Sequence, residues 1–336
     1  MKRKWLNEIV ILIVTAIVLF FILKDNFSST IKILGSINVW YFLLAILLST
    51  MVIGIEGYVS YLLVREYKKN YSFKEAFKLG VMTKFFNGIT PFSAGGRPLQ
   101  VFELKKSGVR VLDSTSVIVQ TFMLFQSSLI IFSIFTFIVN GIFHIFPTNS
   151  FLYSMTILGF IINIVILLFA LVFSISKTLN KKIVDFVINI LCKIKVVKDK
   201  EGQYEKWNKV CDEYYIAFKD FKHKKDLIIK CIILEIISII LFYLITPVVL
   251  LALNIKDTNL LALITASNFV FLTGCYIPIP GGSGGTEYAF IHYLEILISN
   301  VSIVSSALII WRFATYYFPT LIGGIVFYIN RKNNEK

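Results

Sequence analysis

Residues 277–287 read IPIPGGSGGTE, and they interrupt an otherwise apolar segment that extends from residue 260 to residue 299. A second interruption, TPFSAGGRP at residues 90–98, divides the segment 73–106 in the same way. Each arm beside these breaks is short for a membrane-spanning helix, which needs roughly 20 apolar residues. Proline and glycine both disfavour the helix interior. The sequence therefore predicts two re-entrant pairs of half-helices that enter a membrane and turn back within it.

The composition of the whole chain favours a membrane protein. Of its 336 residues, 57% are hydrophobic and only 16% are charged, whereas soluble domains average about 25% charged residues. A soluble fold of this length would expose a large apolar surface, and disordered chains contain far fewer apolar residues. Four cysteines are too sparse for a secreted disulfide scaffold. These observations predict an all-α polytopic membrane protein.

About six spanning helices fit the apolar runs. They are predicted at residues 5–23, 39–64, 116–140, 151–174, 227–253 and 303–329. The first run follows the basic residues Lys2, Arg3 and Lys4 and precedes no small-residue cleavage site. This pattern predicts an uncleaved anchor and not a removed signal peptide. The chain is interpreted as a single membrane domain over residues 1–336.

The net charge of +14 is distributed unevenly along the chain. Thirty of the 34 Lys and Arg residues fall before the first span, at 65–112, at 177–230 and after the last span. Three fall in the intervening loops, and Arg312 lies within the last span. By the positive-inside rule, both termini are predicted to face the cytoplasm. The basic segments are interpreted as topology signals that contact anionic lipid, and no nucleic-acid partner is predicted.

With this orientation, the two interrupted segments enter the membrane from opposite sides. Residues 39–140 and 227–329 would then form two halves of an inverted-topology repeat. In each break a proline is followed four residues later by a glycine pair, after Pro91 and after Pro280. Two full crossings in each segment would leave the overall topology unchanged, so that alternative stays open.

Between the two halves, the segment 177–226 is predicted to form amphipathic helices on the cytoplasmic surface. Apolar side chains recur every three or four residues over 183–194 and again over 204–218, and lysines flank the first run. This spacing is typical of helices that lie on a bundle or among lipid headgroups.

Interrupted helices in both halves of a transporter mark a substrate site near the midplane of the membrane. Glycine amides and the positive end of a half-helix suit an anion such as phosphate. The predicted substrate-binding residues are Ser93, Gly95, Gly96, Arg97, Gly284, Gly285, Thr286, Glu287 and Arg312. Pro98 is predicted to begin a half-helix over 98–106, and Thr286 is predicted to cap the other.

The charged candidates have specific predicted roles. Arg97, Arg312 and the amides of Gly95 and Gly96 are expected to bind phosphate, and Glu287 is expected to receive an amine or a proton. The alternative is that Arg97 and Glu287 pair with each other as a structural lock, since charges inside membranes usually pair. Three further embedded charges are interpreted as structural, and they are Glu56, Lys84 and Glu235.

The sequence contains no recognisable catalytic motif. It has no Walker A sequence, no His-Glu-x-x-His zinc motif and no Gly-x-Ser-x-Gly nucleophile elbow. Its three histidines and four cysteines are scattered without metal-ligand spacing. No catalytic residue, metal or cofactor is therefore predicted.

The two breaks, extended to LQ at 99–100 and to Tyr288, resemble the flippase-like membrane domain of bacterial lysylphosphatidylglycerol synthase/flippase, the multiple peptide resistance factor. The resemblance covers nearly the whole chain, although the family commonly carries glutamine where this chain has Arg97. It implies a flippase in the bacterial inner membrane that moves lysyl-phosphatidylglycerol or another phosphate-bearing lipid. In that family, the transported lipid opposes cationic antimicrobial peptides and so contributes to antibiotic resistance.

Full-length members of that family also carry a soluble domain that transfers lysine from tRNA to phosphatidylglycerol. This chain is expected to be a stand-alone membrane domain without it. The implied partners are anionic or aminoacylated phospholipids, with a separate synthase or glycosyltransferase subunit and a homo-oligomer as further candidates. Three alternatives to a lipid transporter stay open: a phosphatidylglycerol lysyltransferase, an ion-coupled small-solute transporter, and a scaffold without transport.

Overall fold

The computed structural model describes residues 35–176 and 218–334 continuously, together with residue 32 and scattered positions between 177 and 217. Every regular element in the two continuous ranges is helical. The predicted first span at 5–23 lies outside the described residues, and so does most of the predicted amphipathic segment 177–226.

The two continuous ranges contain eleven α-helices. They are α1 (Val39–Val64), α2 (Phe73–Gly88), α3 (Gly96–Lys106), α4 (Val111–Phe143), α5 (Phe151–Ile175), α6 (Lys225–Tyr243), α7 (Ile245–Ala252), α8 (Leu260–Gly274), α9 (Gly285–Leu297), α10 (Val301–Arg312) and α11 (Phe318–Asn334). Short 3₁₀ turns at Pro91–Ser93 and Pro280–Gly282 join α2 to α3 and α8 to α9, and a π-helical turn at Phe313–Tyr317 joins α10 to α11.

Five helical segments are long and apolar enough to cross a membrane. They are Val39–Val64, Val111–Phe143, Phe151–Ile175, Lys225–Ala252 and Val301–Lys332, and they confirm five of the six predicted spans. On α5, large apolar side chains including Leu158, Val165 and Leu168 are exposed on the outer surface. So large an apolar surface fits a lipid environment, because soluble proteins seldom expose such patches. The chain is therefore a multi-pass membrane protein.

Two of the spans are interrupted where the sequence predicts continuous helices. Pro247 cannot donate a hydrogen bond to the carbonyl group of Tyr243, where α6 ends, and α7 begins directly after Leu244. In the last span, Pro319 follows the π-helical turn and cannot donate to Thr315. This second interruption places Arg312 at the end of α10 and not in the middle of a regular helix.

The two predicted breaks are present, and they divide four helices that have 16, 11, 15 and 13 residues. Each is too short to cross a bilayer by itself. Two predicted helix starts are wrong by two residues. The first, α3, begins at Gly96 and not at Pro98, because the Asn87 side chain binds the amide of Gly96. In the other, Gly284 and not Thr286 is the capping residue, because Glu287 accepts a hydrogen bond from the Gly284 amide.

The spanning helices pack closely around the half-length helices. The first span, α1, contacts α2, α4, α6 and α7, while α11 packs along α2 and α5 packs along α8. Glycine makes two of these contacts close enough for backbone to touch backbone. A Cβ atom on Gly323 would lie 2.5 Å from the carbonyl oxygen of Val81, and one on Gly159 would lie 2.0 Å from that of Leu272. The turns between the half-length helices are thereby held inside the bundle.

Candidate functional site

The turns at Pro91–Ser93 and Pro280–Gly282 contact each other and have the same backbone shape. In each, a proline is followed by two residues in the left-handed region, with φ of 55° and 52° at Phe92 and Ser93 and 67° and 62° at Gly281 and Gly282. Glycine adopts this conformation readily, whereas other residues do so at a cost of order 1–3 kcal/mol. The strain in the first turn places Phe92 and Ser93 on the wall of an internal cavity.

The helices α2 and α3 with the turn between them form the first hairpin, and α8 and α9 with their turn form the second. Two polar side chains of the first hairpin hold the beginning of α3. The Thr90 hydroxyl donates to the carbonyl oxygen of Phe86 at 2.6 Å and accepts from the Gly95 amide at 2.8 Å. The side-chain oxygen Oδ1 of Asn87 accepts a hydrogen bond from the Gly96 amide at 3.0 Å. The two glycine amides predicted to bind phosphate are therefore already engaged by the protein. Their role in this conformation is to end one helix and begin the next.

A buried ion pair holds the second turn. Arg312 Nη2 lies 2.7 Å from Glu287 Oε1, and the two side chains are only 5% and 3% exposed. Arg312 Nη1 donates to the carbonyl oxygen of Gly281 at 3.0 Å, and Glu287 Oε2 accepts from the Gly284 amide at 2.7 Å. Glu287 is thus paired with Arg312. The alternative pairing of Glu287 with Arg97, which the sequence left open, is not formed. This pair ties the last span to the turn between α8 and α9.

Tyr316, in the π-helical turn of the last span, contacts both hairpins. Its hydroxyl donates to the carbonyl oxygen of Gly88 at 2.9 Å, at the end of α2. Its ring lies against Gly281, where a Cβ atom would come within 2.5 Å of the ring carbon Cε2. The end of α2, the second turn and the last span are therefore joined through one side chain.

A cavity of about 790 Å³ lies beside the two turns. Most of its wall is apolar, with Phe125, Ile239, Phe242 and Phe271 among the lining residues. Seventeen further lining residues carry polar or ionisable side chains. They are Ser49, Glu56, Lys84, Asn87, Ser93, Arg97, Gln126, Asn163, Ser238, Tyr243, Cys275, Tyr276, Thr286, Arg312, Thr315, Tyr316 and Thr320. A mostly apolar wall that also carries polar groups is typical of a binding site for a small or amphipathic ligand.

Arg97 presents an uncompensated positive charge to this cavity. Its guanidinium carbon lies 3.9 Å from the ring centre of Phe122, and the side chain is accessible from the cavity. Among the described residues, no carboxylate lies within ion-pair distance of it. Stacking on an aromatic ring orients a guanidinium group without neutralising it. Arg97 is therefore positioned to receive an anionic group.

A chain of amide and hydroxyl groups continues the polar wall beside Arg97. Asn163 Oδ1 accepts from Gln126 Nε2 at 2.8 Å and from the Tyr276 hydroxyl at 2.7 Å. Asn163 Nδ2 donates to the carbonyl oxygen of Gly159 at 2.8 Å. Since Gln126 and Asn163 belong to α4 and α5 and Tyr276 follows α8, this network joins three elements across the cavity wall.

A second charged cluster lies on the same cavity. Lys84 Nζ is 2.6 Å from Glu56 Oε2, and both side chains are roughly one quarter to one third exposed. Glu235 interacts electrostatically with both but does not line the cavity. Its side chain is buried, and Oε2 has no hydrogen-bond partner in the part of the chain that the structure describes.

Four of the nine predicted site residues line the cavity, namely Ser93, Arg97, Thr286 and Arg312. Glu287 does not line the cavity but pairs with Arg312, which does. Gly95, Gly96, Gly284 and Gly285 lie where the turns meet the next helices. Sequence reasoning missed Phe122, Gln126, Asn163 and Tyr276. A signal for two of these was present, because Gln126 and Asn163 are amides in the middle of apolar spans, where polar side chains are seldom without a partner.

Comparison with known proteins extends the resemblance seen in the two breaks. The family described as the lysylphosphatidylglycerol synthase TM region matches residues 8–323 of this chain. An uncharacterized protein of Mycoplasma genitalium, MG306, is 19% identical over 339 aligned residues, which cover 95% of this chain and 86% of that protein. The match therefore includes both hairpins and the spans that enclose them.

Proposed function

The chain belongs to the family of the lysylphosphatidylglycerol synthase transmembrane region, and we propose that it is a lipid transporter of the bacterial inner membrane. The observation that supports this proposal is the cavity beside the two turns, where Arg97 presents a positive charge without a carboxylate partner among the described residues. A phospholipid combines an anionic phosphate with apolar acyl chains. The cavity combines one unpaired cation with a mostly apolar wall, so the two are complementary in chemistry.

In the proposed complex, the phosphate group contacts the Arg97 guanidinium. Arginine suits this task because it can donate two parallel hydrogen bonds to phosphate oxygens while its face stacks on an aromatic ring. Gln126, Asn163 and Tyr276 offer further polar groups to the headgroup, and Phe125 and Phe271 face the acyl chains. Lysyl-phosphatidylglycerol, as the family description suggests, or another phosphate-bearing lipid would satisfy this pattern.

The proposed transport step uses two inverted halves, residues 39–140 and 227–329. Support comes from the paired turns, which share a proline followed by two left-handed residues. It also comes from the short helices α2, α3, α8 and α9, which suit re-entrant hairpins and not full crossings. In this scheme, rocking of one half against the other opens the cavity alternately to the two leaflets. Arg312 and Glu287 hold the second turn and do not bind the lipid directly.

The first test is native mass spectrometry of the purified protein with its co-purifying lipids. Wild type is compared with Arg97→Ala and with Arg65→Ala, a control arginine at the end of α1 that bonds to Tyr61. We expect a phospholipid to stay bound to wild type and to the control, and at least tenfold less of it to stay bound to Arg97→Ala. Equal retention by all three would contradict the assignment of Arg97.

Transport itself is tested in vesicles of phosphatidylglycerol and phosphatidylethanolamine that contain a fluorescent phosphatidylglycerol. A membrane-impermeant reductant quenches only the outer leaflet, so movement between leaflets is read as additional quenching. Wild type should accelerate this movement and Arg97→Ala should not. If neither protein accelerates it and no lipid is retained, an ion-coupled small-solute transporter becomes the better description.

A further inference from the structure

Glu235 is the buried carboxyl group that the proposed lipid site leaves unexplained. It lies on α6, about 14 Å along the helix from Asp226, at roughly 1.5 Å per residue. Its side chain is 1% exposed, and no ion pair or hydrogen bond to Oε2 is present among the described residues. A buried carboxylate without a partner is strongly disfavoured, since the charged form loses its hydration. The group therefore requires either a cation or a proton.

The charges around Glu235 leave one negative charge uncompensated. Glu56 on α1 and Lys84 on α2 form an ion pair at 2.6 Å, and both interact electrostatically with Glu235. The positive charge of Lys84 thus acts on two carboxyl groups, those of Glu56 and Glu235. Two carboxylates that share a site cannot both ionise easily, and their protons are released in coupled steps. One proton makes the three groups neutral together.

Among the described residues, α4, α7 and α8 pack against α6 and bring no charged group to Glu235. The only titratable side chain of α4 is Asp113, which is engaged by Arg110 at 2.7 Å near the beginning of that helix. In α8 the sequence contains no titratable residue at all, and on α6 itself Cys231 lies one turn before Glu235. Lys230 of α6 is exposed and its ammonium group lies over the ring of Tyr58. Among the described residues, the charged groups that act on Glu235 are therefore Glu56 and Lys84.

We propose that Glu235, Glu56 and Lys84 form a proton-binding site that couples proton movement to lipid transport. The coupling to lipid transport rests on the proposed function, whereas the proton-binding site itself does not. Glu235 does not line the cavity, so an ammonium headgroup does not reach it there, whereas Glu56 and Lys84 are lining residues. On release, the O–H bond of the Glu235 carboxyl group breaks and the proton passes through the Glu56–Lys84 pair to the cavity.

The site differs from the one expected from the sequence, which assigned a coupling proton to Glu287. That carboxylate is neutralised by Arg312 and accepts a hydrogen bond from the Gly284 amide. Both of its carboxylate oxygens are therefore already engaged by protein groups. Glu235, by contrast, has neither an ion pair nor a hydrogen bond to Oε2 among the described residues.

Infrared difference spectroscopy of the full chain in lipid vesicles tests the proton site without any transported substrate. A protonated carboxyl group has a carbonyl stretching band that a carboxylate lacks. We expect wild type to show such a band that is lost on titration to alkaline pH, and Glu235→Gln to lack it. Glu295→Gln, a control on α9 outside the cluster, should retain the band. A band of equal size in Glu235→Gln and wild type would overturn the proposal.

A second variant keeps the test decisive if Glu235→Gln does not fold. Lys84→Gln removes the positive charge that, among the described residues, favours the ionised form of Glu235, so the loss of the band should shift to more alkaline pH. An unchanged titration, or a shift to more acidic pH, would contradict the cluster.

Coupling is tested separately in the same vesicles with the fluorescent phosphatidylglycerol. A pH gradient should change the rate of lipid movement by wild type severalfold, and Glu235→Gln should not respond to it. Lipid movement that ignores the gradient in wild type overturns the coupling while leaving the lipid transporter intact. A titrating band without any lipid movement supports the proton site and counts against the proposed function.

Discussion

The two arginines near the turns, Arg97 and Arg312, lie in different electrostatic environments. Arg312 is buried and paired with Glu287, whereas Arg97 stacks on Phe122 and faces the cavity. Removing an ion pair from water costs several kcal/mol per ion, which close contact and further hydrogen bonds must offset. The carbonyl group of Gly281 and the amide of Gly284 supply those hydrogen bonds for Arg312 and Glu287. The charge of Arg312 is thereby compensated, whereas Arg97 has no carboxylate within ion-pair distance among the described residues.

Substitution Glu287→Gln should destabilise the protein by roughly 3–5 kcal/mol, because it leaves the Arg312 charge buried without a counter-ion. The amide can still accept the Gly284 hydrogen bond, so the loss reports the charge and not the helix cap. The measurement is the thermal unfolding temperature in detergent.

The double substitution Glu287→Gln with Arg312→Met provides the control. It removes both charges, so it should unfold at a higher temperature than Glu287→Gln alone. A double variant that is less stable than Glu287→Gln would show that the pair is not what stabilises the turn.

Among the individual helices, α2 begins at a pair of residues that cap each other, Ser72 and Glu75. Ser72 Oγ accepts from the Glu75 amide at 3.2 Å, and Glu75 Oε2 accepts from the Ser72 amide at 2.8 Å. The hydroxyl and amide of Ser72 donate to the Glu75 carboxylate and so lower its pKa. This reciprocal capping fixes where the first hairpin starts, and thereby the distance from its first residue to the turn.

Substitution Ser72→Ala should lower stability by about 0.5–2 kcal/mol at neutral pH, since it removes one of the two caps. Because the folded-state pKa of Glu75 is lowered, the contribution of this carboxylate is present above its ordinary pKa and is lost as pH falls through the lowered value. The difference in unfolding temperature between wild type and Ser72→Ala should therefore narrow at acidic pH, to the part contributed by the bond from the Glu75 amide to Ser72 Oγ. A difference that stays constant with pH would show that the Glu75 carboxylate takes no part.

At the scale of the whole molecule, the distribution of basic residues predicts which loops share a side of the membrane. The loop that contains Lys69 should be cytoplasmic, and the loop that contains Asp257 should face outward. Lys69→Cys and Asp257→Cys, each in a background without the native cysteines, can be labelled with a membrane-impermeant maleimide on intact cells. Labelling of Asp257→Cys alone is expected. Labelling of both, or of Lys69→Cys alone, would contradict the orientation.

Much of the architecture could be predicted from the sequence. Five spans and both breaks are where the apolar runs and the proline–glycine clusters indicated. The reason is local, since span length is set by bilayer thickness, and proline and glycine interrupt helices wherever they occur. Two helix starts were wrong because side chains from elsewhere in the hairpin, Asn87 and Glu287, bind the terminal amides.

The amino-acid sequence predicts an all-α membrane protein with two interrupted helix pairs, and it identifies Arg97, Glu287 and Arg312 as charges that need an explanation. The packing of the helices pairs Glu287 with Arg312, engages the Gly95 and Gly96 amides, and leaves Glu235 without a partner for Oε2 in the described part of the chain. Helix formation depends on residues close in sequence, whereas the pairing of buried charges depends on which helices the fold brings together.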